Sequence, residues 1–190
     1  MAISFNYVHS AYGKEMRVPD DLEKLRLENI LGAICLAMVD KMERAFADEA
    51  GLGPSSAAAL IQIGTNPGIT TETLRRIIAL SHSATVRLVD QLVASGLVLR
   101  GDALETDRRA KRLELTEEGE ARFRRCLAAR RMVTDRAVRA LGEEELTQLG
   151  ALAEKILPAI VDLGVDQDVV CRVCDQEICE RSRCPISHMA

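Results

Sequence analysis

Tryptophan is absent, and aromatic residues make up only 3% of the 190-residue chain. The apolar share of 47% is mostly Ala, Leu, Val and Ile at helical spacing, which favours a helical protein over a sheet protein. Long apolar runs are missing too. The longest, residues 30–39, falls well short of the roughly 20 residues that cross a bilayer, so no membrane partner is expected. The opening MAISFNYVHSAYGKEM has neither a basic start followed by an apolar core nor a small-residue cleavage site, and a cytoplasmic location is the resulting expectation. The net charge of -4 excludes a basic signature spread over the whole chain, so any case for nucleic-acid binding rests on local charge. Catalytic equipment is sparse. Three His are scattered, and there is neither a glycine-rich phosphate loop nor a nucleophile elbow, so the chain is not expected to be an enzyme.

What the chain does have is concentrated in residues 70–119, TTETLRRIIALSHSATVRLVDQLVASGLVLRGDALETDRRAKRLELTEEG. Two short helices, a strand, a basic turn, a returning strand and the start of a long helix follow one another there, which is the plan of a winged helix-turn-helix. Thr70 or Thr71 is placed to cap the first helix, with Leu74, Ile77 and Ile78 inward and Arg75 and Arg76 outward. Ser81 caps the second. Its Leu88, Val89, Leu92 and Val93 point to a core, which leaves His82, Ser83, Val86 and Arg87 on or near the opposite face. Gly96 ends that helix. A short strand at residues 97–99, a charged loop at 101–111 and a returning strand at 113–115 then form the wing, with Arg108, Arg109, Lys111 and Arg112 within five residues.

Before this unit, residues 1–19 read as an arm and residues 20–52 as a long helix. Its stripe of Leu27, Ile30, Leu31, Ile34, Met38, Met42 and Phe46 is wider than one small core requires. Ser55 or Ser56 is expected to cap the next helix, AAALIQIG, with which a winged unit of residues 53–116 begins. Residues 117–164 hold two helices, one from Thr116 to about Leu141 and one from Gly142 to Gly164. Residues 122–139 carry seven Arg against one Asp, and residues 143–168 seven acids against one Lys, so the expected partners of the first run are the acids of the second or a second chain. Residues 165–190 are a cysteine-rich tail.

Three segments together resemble the multiple antibiotic resistance regulator (MarR) family of winged helix-turn-helix transcription factors. They are Leu92-Val93-Ala94-Ser95-Gly96-Leu97-Val98, the wing signature Asp107-Arg108-Arg109-Ala110, and Leu115-Thr116-Glu117-Glu118-Gly119, and with the order of helices the likeness covers about residues 20–163. The resemblance implies a mainly α fold with a small β-wing and long dimerisation helices. It also implies a homodimer whose two winged domains meet successive major grooves of an imperfect palindrome in double-stranded DNA, and repression relieved by a small-molecule effector or by thiol oxidation. Thr70, Arg75, Ser81, His82, Ser83, Val86, Arg87, Arg108, Arg109, Lys111 and Arg112 are then the DNA-binding candidates, with Arg87 placed for a guanine edge. Thr85-Val86 departs from the family pattern of an apolar residue followed by Ser or Thr, so Thr85 faces inward and Val86 offers DNA only a methyl contact.

Two readings from other classes remain: a thiol or metal enzyme that uses the tail, and a winged-helix module that binds protein. The tail spells Cys171-x2-Cys174-x4-Cys179-x4-Cys184-Pro185. Four thiolates so spaced can close around one tetrahedral zinc; an iron-sulfur cluster, a thiol-disulfide switch and inert cysteines are the alternatives. Cys35 and Cys126 sit at apolar helical positions where Cys is ordinarily buried, although Cys35 lies where a peroxide-sensing branch of the resembled family places a reactive thiol.

Overall fold

The computed structural model describes residues 22–104, 107–161, 167–179 and 184–186, with backbone alone at 102–104, 107–110 and 167. The expected arm at 1–19 lies outside them. In order the elements are α1 (Leu22–Ala50), α2 (Pro54–Thr65), α3 (Thr71–Ile77), α4 (His82–Ala94), β1 (Val98–Leu104), β2 (Asp107–Leu115), α5 (Glu117–Val138), α6 (Glu143–Ile160) and α7 (Gln167–Val170). The chain divides into two compact units, residues 1–39 and 40–190.

Helix α2 is the centre of the second unit. Residues 57–63 are all buried, because α2 is packed on both sides. Leu60 and Ile63 join Leu74, Ile77, Leu88, Val89, Leu92, Val98 and Leu113 in one cluster, which is the core of the winged unit. Ala57 and Ile61 join Ala45 and Phe46 of α1 with Cys126 and Ala129 of α5 in a second cluster. The small side chains of α2 let α5 approach closely: a Cβ at Gly64 would lie 2.8 Å from the Phe123 ring.

Caps follow the local chemistry, with one correction. Thr70, Ser81 and Thr116 each accept a backbone N–H three residues on, at 3.2, 3.3 and 2.9 Å. Neither Ser55 nor Ser56 caps α2. Gly53 is its N-cap and Pro54 takes the first turn, where its missing N–H and fixed φ cost nothing. Gly96 has a φ of 71°, as expected of the residue that ends α4. Helix α5 stops at Val138 and α6 at Ile160, short of the expected Leu141 and Gly164, with Val161 already extended.

The wing is longer than expected. Most of the anticipated loop at 101–111 is strand, with Val98 opposite Leu115, Arg100 opposite Leu113 and Leu104 opposite Asp107, and with two shifts of register between Arg100 and Leu104. These irregularities break the period-2 pattern, which is why alternation alone did not predict strand there. The turn before α3 adds an edge to the hairpin, because Gly68 N–H donates to Leu113 O at 3.2 Å and Leu113 N–H to Ile69 O at 2.9 Å.

The tail is seated on the core, where Val173 packs against both clusters and Ile186 is 1% exposed. One further expectation is overturned. Cys35 is exposed, since α1 carries its apolar stripe uncovered in the single chain, whereas Cys126 is fully buried as expected.

Candidate nucleic-acid interface

Helix α4 presents two faces. Thr85, Leu88, Val89 and Leu92 are buried, and the Thr85 hydroxyl donates to Ser81 O at 3.0 Å, so this inward polar group is satisfied. On the other side His82, Ser83 and Arg87 are exposed, and Val86 is half-buried. Arg87 Nε donates to Ser83 O at 3.3 Å, which lays the side chain along the exposed face. That face is held to the wing by Arg100 on β1, whose guanidinium donates to Asp90 on α4 at 2.5 Å.

Several candidates have structural duties. The Thr70 hydroxyl caps α3 and lies 3.1 Å from the Thr73 hydroxyl, and the Ser81 hydroxyl caps α4 and lies 3.4 Å from that of Ser83. Arg75 is already paired: its Nε and terminal nitrogen donate to the Glu72 carboxylate at 3.0 to 3.1 and 2.6 Å. The Arg75 hydrogen bond holds the Glu72 carboxyl below its ordinary range, and Glu72 in turn raises Arg75. His82 Nδ1 stands 3.9 Å from the same carboxylate. The α3–α4 corner therefore carries an anion among the candidate DNA-binding residues. Lys111 and Arg112 are exposed on β2, and Arg112 forms a bridge with Thr70 that sets the wing beside the start of α3. Arg108 and Arg109 lie in β2, and their side chains are outside the described residues.

The basic run on α5 is paired differently from expectation. Arg122 bonds Glu118 at 3.1 Å and Ala50 O at 2.6 Å, Arg124 bonds Glu120 at 3.0 Å, and Arg139 bonds Asp135. These acids lie one turn back on the same helix, the separation at which helical side chains meet without a second element.

Away from this surface, the tail brings Cys171, Cys174, Cys179 and Cys184 together. Cys171 interacts with Cys174 and Cys184, and Cys179 with Cys184 and Cys174. The hydrogen bond from Cys171, aided by Arg130 on α5, lowers the Cys174 thiol to about 6 despite burial, while that same bond pushes Cys171 up. Burial, then the charges of Cys184 and Cys174, raise Cys179. All six cysteines are free thiols, and among the described residues no group of three or more His, Cys, Asp or Glu is arranged to hold a metal ion as it stands. Gln62 of α2, 1% exposed, carries the tail: its amide donates to Arg172 O at 3.1 Å and Cys171 O at 3.5 Å. Sequence reading passed over Gln62, Arg130, Glu72 and the Arg100–Asp90 pair. Only Gln62 left a signal, as one polar residue inside the run AAALIQI, which a buried helix tolerates when the amide has partners.

The sequence matches a family model described as MarR family over residues 50–110, which takes in α2 to the wing. Over these residues the chain is similar to the MarR family. It is 26% identical over 136 residues to the HTH-type transcriptional repressor MdtR of Bacillus subtilis (strain 168), covering 72% of this chain and 84% of that one. Among solved structures, the YusO protein of Bacillus subtilis superposes with a TM-score of 0.63 at 23% identity over 74% of this chain and 99% of that one. A mutant MarR from E. coli complexed with operator DNA superposes with a TM-score of 0.54 at 22% identity, over 74% and 100%. At these identities the two structures speak for the fold alone: the chain has a winged helix-turn-helix with long helices before and after it in sequence. Among the described residues no helix is long and apolar enough to cross a membrane.

Proposed function

We propose that this MarR-family transcriptional regulator works in the cytoplasm as a homodimeric repressor, with the exposed face of α4 reading bases in successive major grooves of an imperfect palindrome and the wing holding the flanking backbone. The observation that carries this reading is the pairing of two features. A capped helix shows His82, Ser83 and Arg87 to solvent, and a hairpin pinned to it by Arg100 and Asp90 carries Lys111 and Arg112. Phosphate contacts position such a unit, and base-edge contacts give it sequence preference. Dimerisation is supported by uncovered apolar surface: α6 has no buried residue yet carries Leu146, Leu149, Leu152, Ile156 and Ile160 exposed, and α1 exposes Leu27, Ile30, Leu31 and Ile34. Relief of repression by a small ligand or a thiol or metal change belongs to the same proposal. A polar cleft of about 330 Å³, lined by residues that include Asn66, Thr70, Thr73, Asp168 and Gln176, is a candidate place for an effector.

The test is selection of bound duplexes from a random pool, followed by titration at several salt concentrations. A recovered palindrome, bound by two chains with a steep salt dependence, is expected. Indifference to DNA at low salt sinks the reading in favour of a winged module that binds protein.

A further inference from the structure

We propose that Cys171, Cys174, Cys179 and Cys184 bind one zinc ion per chain, and that this centre clasps the tail onto α2 and α5 of the winged unit. Four thiols separated by up to thirteen residues of chain converge on one another. The tight turn in which Cys174 N–H donates to Cys171 O at 2.9 Å, and a second in which Cys179 N–H donates to Asp175 O at 3.1 Å, bring the first three together, and Cys184 meets Cys171 and Cys179. Tetrahedral zinc with Zn–S bonds of about 2.3 Å spaces its sulfurs about 3.8 Å apart, so the ion would draw into one shell the thiols that already interact with one another. A four-iron cluster would hold its cysteines farther apart.

The second observation is Arg130. Its Nε is buried without a hydrogen-bond partner, while the guanidinium also bonds Cys174. With its Nε unmet, this buried guanidinium is only partly compensated by the one thiol that it bonds. Four thiolates around Zn²⁺ carry a net charge of about -2, and N–H···S bonds from a guanidinium are the outer-shell support that such a centre uses. Binding releases the thiol protons to solvent, forms four Zn–S bonds and leaves no open position, so the ion is structural. The clasp closes on prepared ground: Gln62 already holds the Cys171 and Arg172 carbonyls, and Val173 sits between the two core clusters.

Full-length protein purified under reducing conditions without chelator should contain about one zinc per chain. Cobalt(II) titrated into stripped protein should give a thiolate-to-metal charge-transfer band that is lost in Cys174→Ser/Cys184→Ser. Stripping zinc should also speed hydrogen exchange at residues 167–179 and 184–186. Arg130→Gln should weaken zinc binding about 10- to 100-fold against a competing chelator, with Arg130→Lys recovering part of the loss. Wild-type protein that retains no zinc after loading and dialysis, or that carries iron instead, or whose four cysteines pair as disulfides, overturns the proposal whatever the variants do.

Discussion

Arg87 and Glu72 are the residues on which the proposed DNA-facing surface turns, and the proposal has them act in opposite senses. Arg87 is exposed and lies along α4, and its Nε donates to Ser83 O, so in the proposed reading its terminal nitrogens are the groups that meet a base edge. Arg87→Ala should cost about 1 to 3 kcal/mol on the preferred duplex and little on random DNA, as read by competition binding. Equal losses on both remove it from base readout. Glu72 instead occupies Arg75 and faces His82. Glu72→Gln should free Arg75 for a phosphate, tighten binding to all duplexes and steepen the salt dependence by about one counterion; an unchanged slope would place Arg75 off the DNA. The inward and outward residues of α4 were legible because one capped helix with one apolar face has a single orientation. The Glu72–Arg75 pair was not, since a cation's availability depends on which neighbour holds it.

Cys126 supplies a prediction with a pH window. It is fully buried, and burial pushes its thiol up to about 11 from an ordinary 9.0, with Arg122 only partly opposing. The folded form therefore keeps a proton that the unfolded chain loses. The contribution is complete below about pH 9 and is lost as pH rises through about 11, on the order of 2 to 3 kcal/mol in all. Urea unfolding near pH 7 and pH 10 should show this alkaline loss in wild type and a smaller one in Cys126→Ala. An identical loss in both would assign it elsewhere.

At the scale of elements, the junction between the wing and α5 is the tightest point. Thr116 donates its hydroxyl to Gly96 O at 2.6 Å and its N–H to Leu97 O at 3.1 Å, which draws the first turn of α5 against the end of α4. A Cβ at Gly119 would stand 1.9 Å from Leu97 O, a backbone atom that cannot swing aside. Gly119→Ala should thus destabilise by about 1 to 3 kcal/mol, visible as a lower Tm, with the hairpin displaced relative to α4. A Tm equal to wild type would show that the junction has slack. Gly119 drew notice in the sequence only as part of a familiar segment; its steric role arises from two elements far apart in the chain.

For the whole molecule the decisive quantity is uncovered apolar surface. Ile160 is 68% exposed and Leu152 54%, at the end and middle of a helix with no residue buried. Such a face is stable in water when another copy covers it. Sedimentation at micromolar concentration should show two chains per particle, and Leu149→Glu/Leu152→Glu should shift it towards monomer with a lower Tm. A folded wild-type monomer at that concentration removes the homodimer from the proposal.

Helix order, three of the caps, the end of α4 and the inward set of the winged unit were determined by the sequence alone, because each depends on residues within one or two turns of one another. The longer wing, the capture of Arg75 by Glu72 and the pairing of the α5 arginines within their own helix were decided by geometry that composition does not encode. So was the seating of the tail. Its four cysteines were visible in the sequence as a motif, but only the folded chain sets Cys174 against Arg130 and the Cys171 carbonyl against Gln62, because those two partners lie on different helices far back in the chain and meet the tail through packing.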